Sequence, residues 1–397
     1  MEQEPKHHIS SLDTASNTLY FNNLPFELLD PHNMVFSFQL YLTCWGYFSM
    51  LPEEMVAELR IASTTPRASR TKFFASKGLT VALNWLHPNG FPWSIGPSAV
   101  GTCAAAASNG HIDTVKWLKK KGCPWGYGTS TGAATFGDLE LLRWCLDNKC
   151  PRDDSTCDAA ANRGHLEVLQ LSVEMGCLLG LNTCTHAAAN GHLEVVKWVA
   201  PKVEKDLLSM NVAAAKGHLE VVKFLHANGW PWSENTCNSA ARGGQLEVLR
   251  HLHEHGCPWD KNTCSAAARR GNLTVLIYAR ACGCPWTTET SIRAAEGGFL
   301  HVLKWARSNG CRLYKDLCGV AAFGGHLDVL KWAREQGCVW GHTMSAAATE
   351  GHVHILQWAF ENGCETAPSW FNRVKVNNEV RAWVNGIHAQ WMNATKP

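Results

Sequence analysis

From residue 230 onward, apolar, small and polar positions return at a fixed interval. WPWSENTCNSAARGGQLEVLRHLHEHG (230–256) is followed without a gap by CPWDKNTCSAAARRGNLTVLIYARACG (257–283). Each 27-residue block carries two helical patterns around a central glycine. In the first pattern a cysteine or other small residue lies seven positions before the glycine, and an Ala-Ala pair lies four and three before it, as in Ala267-Ala268. That is the i, i+3, i+4, i+7 spacing of one helix face, and such small residues let neighbouring helices approach closely. Asn262-Thr263 and Ser155-Thr156, just ahead of the cysteine, are the expected N-caps. The glycine is expected to end the helix in the left-handed conformation. The second pattern, of the type HLEVLKWL, puts apolar residues two, four, five and eight positions after the glycine. An acid and a base three residues apart, such as Asp328 and Lys331, share the exposed face.

The anchoring glycines are Gly78, Gly110, Gly137, Gly164, Gly191, Gly217, Gly244, Gly271, Gly298, Gly325 and Gly351, which makes eleven units over about residues 68–365. One helix pair cannot bury its own apolar face. The units must therefore stack, and the sequence predicts an all-α solenoid of helix-turn-helix repeats.

These residues resemble the ankyrin repeat, on the strength of Ala187-Ala188, Gly191-His192, Val195-Val196 and their equivalents. The resemblance covers about three quarters of the chain. The period of 27 is shorter than the family's usual length of about 33. The missing residues fall where the family has its β-hairpin finger, so fingers should be shortened or absent. Asn-Thr-Cys stands in place of the family's Thr-Pro-Leu-His stretch. The variant looks like the short ankyrin-type repeats of giant DNA viruses, amoebae and other protists. The resemblance implies protein–protein binding without catalysis or cofactors, along the concave and loop face of the repeats.

Composition narrows the partners. Of 397 residues, 36 are basic and 34 acidic, giving a net charge of +2, and 46% are hydrophobic. That balance lacks the electrostatic footprint of a dedicated nucleic-acid or membrane-surface binder. The opening MEQEPKHHIS has no signal-peptide apolar core, and no apolar run is long enough to span a bilayer. The expectation is an intracellular protein, cytoplasmic or nuclear, in a reducing compartment.

Cysteine, histidine and tryptophan are the residues that could signal chemistry. Fourteen of 17 cysteines fall on two repeat positions, seven before and 13 after the glycine. They read as small buried hydrophobes. A disulfide ladder joining Cys150 to Cys157 or Cys257 to Cys264 is disfavoured, because equivalent positions hold Ser130, Ser291 or Trp230. No C-x2-C pair points to zinc. Six histidines directly follow the repeat glycine and read as turn residues, while the spacing of His251, His253 and His255 scatters their rings on a helix. No Ser-His-Asp set, paired catalytic carboxylates or phosphate loop stands out, so no enzyme is expected.

The residues that vary between repeats are the candidates for recognition. The last two positions before the glycine carry Arg163, Lys216, Arg242, Arg269 and Arg270 in the middle repeats. Trp232, Trp259 and Trp286 occupy the inter-repeat loops where a finger would lie. These eight residues are the candidate partner-binding set, since aromatics and arginines anchor interfaces.

The ends depart from the repeat. Residues 1–18 read as disordered. Residues 19–67 read as a cap over the first repeat or as a degenerate F-box. The latter rests on Leu24-Pro25, Glu27-Leu28-Leu29, Leu42 and Cys44-Trp45, with a Leu-Pro to Cys spacing several residues short of the family's. An F-box would imply a ubiquitin-ligase adaptor as partner and a role in substrate recognition. Residues 366–397 read as a C-terminal cap and tail, with a helix over 374–383.

Overall fold

The computed structural model describes residues 67–88, 90–94, 101–180, 182–364 and 377–394. The readings placed on residues 1–66 lie outside them. The described residues form 23 α-helices and one 3-10 turn, with no strand among them. The fold is an α-helical repeat solenoid.

The chain divides into two units. The first holds the helix pairs Arg67–Ser76 with Thr80–Leu86 and Thr102–Ala107 with Ile112–Lys120. The pair Tyr127–Phe136 and Leu139–Asp147 is shared between the units, and the second unit continues from Arg152. It holds eight complete repeat pairs, from Asp154–Arg163 with Leu166–Glu174 to Thr343–Glu350 with Val353–Glu361. It ends with the helix Asn378–Ala394. This last helix starts after position 374 and runs well beyond 383, so it is longer than the apolar pattern suggests. Val380 on it is buried, and Trp383 packs edge-on against Phe360 of the preceding helix.

Within each unit, first helices pack mainly on first helices of neighbouring repeats. The Ala-Ala pairs make this possible, since Ala213-Ala214, Ala240-Ala241 and Ala267-Ala268 have no exposed surface. The second helices close the other side with buried pairs such as Val221-Val222, Val248-Leu249 and Val275-Leu276.

The N-caps differ from the sequence expectation. Five of the first helices begin earlier, capped by Asp153, Asp206, Ser233, Asp260 and Thr287, whose side chains accept backbone N–H bonds, while Thr183–Ala189 starts at the expected Asn182. Asp260 accepts from the Asn262 amide at 3.0 Å, for example. Thr263 is therefore inside the helix and fully buried. Its hydroxyl instead donates to Asn238 Oδ1 of the preceding repeat at 2.7 Å. Thr236 does the same to Asn211, and Thr183 to Asp158. A residue that looks like a cap is thus a rung between repeats.

The central glycines are left-handed, as expected, with φ of +75° at Gly191 and Gly244. A second reason for glycine comes from the next repeat. The His218 ring lies over Gly191, where an added Cβ would stand 2.5 Å from Nδ1. Its Nε2–H donates to the Ala189 carbonyl at 3.1 Å, satisfying an acceptor at the end of the earlier helix. His111, His192, His326 and His352 make the equivalent bond to Ser76, Asn162, Glu296 and Phe323.

Candidate interaction surface

The loop tryptophans sit on the fold in a regular way. Each has a basic or imidazole side chain from the end of the preceding second helix against its ring. The ring centroids of His87–Trp93 are 4.0 Å apart, of His226–Trp232 3.7 Å and of His253–Trp259 3.9 Å. Lys119, Arg280 and Arg334 place their cations 3.9, 4.3 and 4.2 Å from the centroids of Trp125, Trp286 and Trp340. On the other side the next repeat supplies an aromatic, as Tyr278 does for Trp259 and Trp305 for Trp286. These stacked contacts bind loop to helix and repeat to repeat.

The structure does not bring the eight predicted contact residues into one patch. Trp259 precedes the cap of the helix Lys261–Arg269, while Arg269 and Arg270 stand at its far end. At about 1.5 Å per residue, roughly 13 Å of helix separates them. Trp232 and Trp286 are related in the same way to Arg242 and to the end of the helix Thr288–Glu296. All three tryptophans are half-buried in the stacks described above.

The basic residues form the other set. Arg163, Lys216, Arg242, Arg269 and Arg270 are all exposed at the C-terminal ends of first helices. None is in an ion pair among the described residues. The second helices behave differently, since their acids and bases neutralise each other in pairs such as Glu194–Lys197 and Glu220–Lys223. The first-helix edge thus carries uncompensated positive charge across these repeats. The sequence gives Glu296 at the next equivalent position, and it bonds Arg293 on its own helix at 2.8 Å.

The family model for ankyrin repeats (many copies) matches residues 211–253. Those residues span two successive helix pairs, and the 27-residue register carries the same residues to both sides of them. The chain contains ankyrin repeats. Ankyrin repeats generally mediate protein–protein interaction, and the family is typically non-catalytic. In the comparison with curated proteins, nothing matches. No helix among the described residues is long and apolar enough to cross a membrane.

The described cysteines are free thiols, and all except Cys282 are buried. Burial pushes Cys184 and Cys318 up to about 12. The thiols that come together are not the pairs weighed from the sequence. Cys157 interacts with Cys177, Cys237 with Cys257, and Cys264 with Cys284, each pair 20 residues apart and on either side of one central glycine. Several of the later cysteines also donate to a cap-residue carbonyl, as Cys284 does to Asp260 at 3.3 Å.

Sequence spacing also misplaces the histidines. His251 and His255 lie on one helix face with centroids 4.0 Å apart, and His226 of the preceding repeat joins them at 6.2 and 5.9 Å. Among the described residues, no group of three or more His, Cys, Asp or Glu side chains is placed to hold a metal ion. Burial, then the His255 charge, holds His226 below its ordinary value. For His251 burial again leads, followed by His255, His226 and Lys223, with Glu254 opposing. Its Nε2 is buried without a partner, so a proton there would find no acceptor. Because both folded values lie below the unfolded one of about 6.5, the unfolded chain binds more protons as pH falls. Stability is therefore full above that value and is lost as pH drops through it toward the folded values. Urea midpoints at pH 7.5, 6.5 and 5.5 should fall, and His251→Gln should flatten the fall.

Proposed function

We propose that this protein is a non-catalytic scaffold that captures a partner protein through the first-helix edge of its middle repeats. The partner presents an acidic segment. The observation that carries this reading is the row of exposed, unpaired cations at Arg163, Lys216, Arg242, Arg269 and Arg270. Their place at helix C-termini gives each a favourable dipole interaction of about 0.3–1 kcal/mol, which accounts for a cation but not for the lack of a neutralising acid. The stacked tryptophans support the loops and leave recognition to this edge. The ubiquitin-ligase reading depends on residues 19–67, all but the last of which lie outside the described residues.

The test is capture from the native cell with full-length protein carrying Arg242→Gln, Arg269→Gln and Arg270→Gln. Acidic partners retained by the unsubstituted chain should be lost, and their retention should weaken with rising salt. Circular dichroism should be unchanged. Capture of the same proteins by the substituted chain would place the interface elsewhere.

A further inference from the structure

The cationic edge gives way to aromatic residues. In the repeat after Arg269 and Arg270, the position following the glycine holds Phe299, where His218, His326 and His352 stand in other repeats. The half-buried Phe299 ring lies over Gly271 of the earlier turn, where an added Cβ would stand 2.5 Å from it, and over Gly297. Phenylalanine cannot donate the bond that histidine makes to the preceding helix end. His301 Nε2 meets the Gly271 carbonyl instead, at 3.3 Å. Packing of the turn does not call for this exchange, since a histidine ring fits the same place over Gly191 and Gly298. One repeat further, Phe323 takes the position of Arg242 and Arg269. It is 53% exposed, and its ring meets no other aromatic ring and no cation among the described residues. Glu296, at the position between them, is held by Arg293 at 2.8 Å. The next charge at these positions is the exposed Glu350.

We propose that the partner segment captured on this edge has two halves: an extended acidic run on Lys216, Arg242, Arg269 and Arg270, and beyond it an aromatic or large aliphatic side chain seated on Phe299 and Phe323. The inference rests on the scaffold reading above and adds the apolar half and its place. Adjacent helices pack about 8–10 Å apart, and an extended chain advances about 3.3 Å per residue. An acid about every three residues therefore meets successive cations, and the anchor falls about three to six residues past the last acid.

The two halves divide the work. Complementary charge selects the segment and speeds its capture, but exposed charge pairs add little affinity in salt. Burying an apolar anchor against two rings supplies what they lack. A run that stayed acidic past the anchor would meet Glu350, so the order of the two halves along the edge is fixed. Phe136, 52% exposed at the other end of the row, is the internal control. Only Arg163 adjoins it, because Asn190 separates Arg163 from Lys216 and is bonded to Asn162 at 2.8 Å.

Full-length protein is titrated with fluorescein-labelled synthetic peptides and read by fluorescence anisotropy. One peptide has glutamates about three residues apart and a phenylalanine about four residues past the last of them, made in both chain directions. Its partner has serine in place of the phenylalanine. In the better-binding direction, phenylalanine should tighten binding on the order of tenfold over serine. Phe299→His with Phe323→Ser should remove that difference and leave the serine peptide's affinity unchanged, whereas Phe136→Ser should preserve it. Arg269→Gln with Arg270→Gln should weaken both peptides. Equal binding of the two peptides to the unsubstituted chain, or a difference that survives Phe299→His with Phe323→Ser, overturns the apolar half and leaves the acidic-segment reading standing. Binding of neither peptide overturns both. Tighter binding of single-stranded DNA of equal charge than of the phenylalanine peptide also overturns both.

Discussion

Gly191→Ala should be among the most destabilising single-methyl additions in this chain. The substitution forces a side chain into φ +75°, at a cost of about 1–2 kcal/mol. It also places a Cβ 2.5 Å from the His218 ring, which must leave its bond to the Ala189 carbonyl. Losing that bond and exposing or orphaning the carbonyl adds about 1–3 kcal/mol. Gly256→Ala separates the two effects. It has φ +81° but nothing within 4 Å of an added Cβ, so only the backbone cost should appear. Urea unfolding of both variants should show Gly191→Ala the lower in midpoint by a clear margin. Equal midpoints would mean that the ring contact contributes nothing.

Thr263→Val should destabilise by about 1–3 kcal/mol, because Asn238 Oδ1 would lose its donor in a buried site. Thr290 provides the contrast at the equivalent position of the next repeat. Its hydroxyl is buried without a hydrogen-bond partner, so Thr290→Val should be neutral or stabilising. The same chemical change at the same repeat position should thus have opposite consequences. Chemical denaturation of the two variants checks this, and comparable losses in both would show that the rung carries no net stabilisation.

The sequence made the repeat legible because packing positions return at a constant interval. Helix identity, the left-handed glycines and the burial of the cysteines follow from Ala267-Ala268, Gly271 and Cys264 alone. The caps were less legible, since Thr263 and Asp260 are both good cap residues and only the helix start decides between them. The tryptophan stacks could have been found by comparing repeats. Wherever the loop holds Trp93, Trp125, Trp232, Trp259, Trp286 or Trp340, the position six residues earlier holds His, Lys or Arg. The thiol pairs could not be found that way, because their 20-residue separation closes only when the loop has turned back onto its own first helix.

The imidazole over the preceding glycine gives the array a direction. The turns at Gly78, Gly164, Gly191, Gly298 and Gly325 are finished by a histidine of the following repeat and that at Gly244 by Asn272, whereas Gln245, over Gly217, bonds the Gly243 carbonyl of its own repeat. The last repeat has no following histidine, and there Asn377 takes the place, its Nδ2 2.4 Å from where a Cβ on Gly351 would stand. The same Asn377 caps the final helix by accepting from the Val380 amide at 2.9 Å. A shortened array is therefore complete only when its cut end carries such a residue: removing whole periods from the interior preserves every closure, whereas trimming from the C-terminal side leaves one turn open.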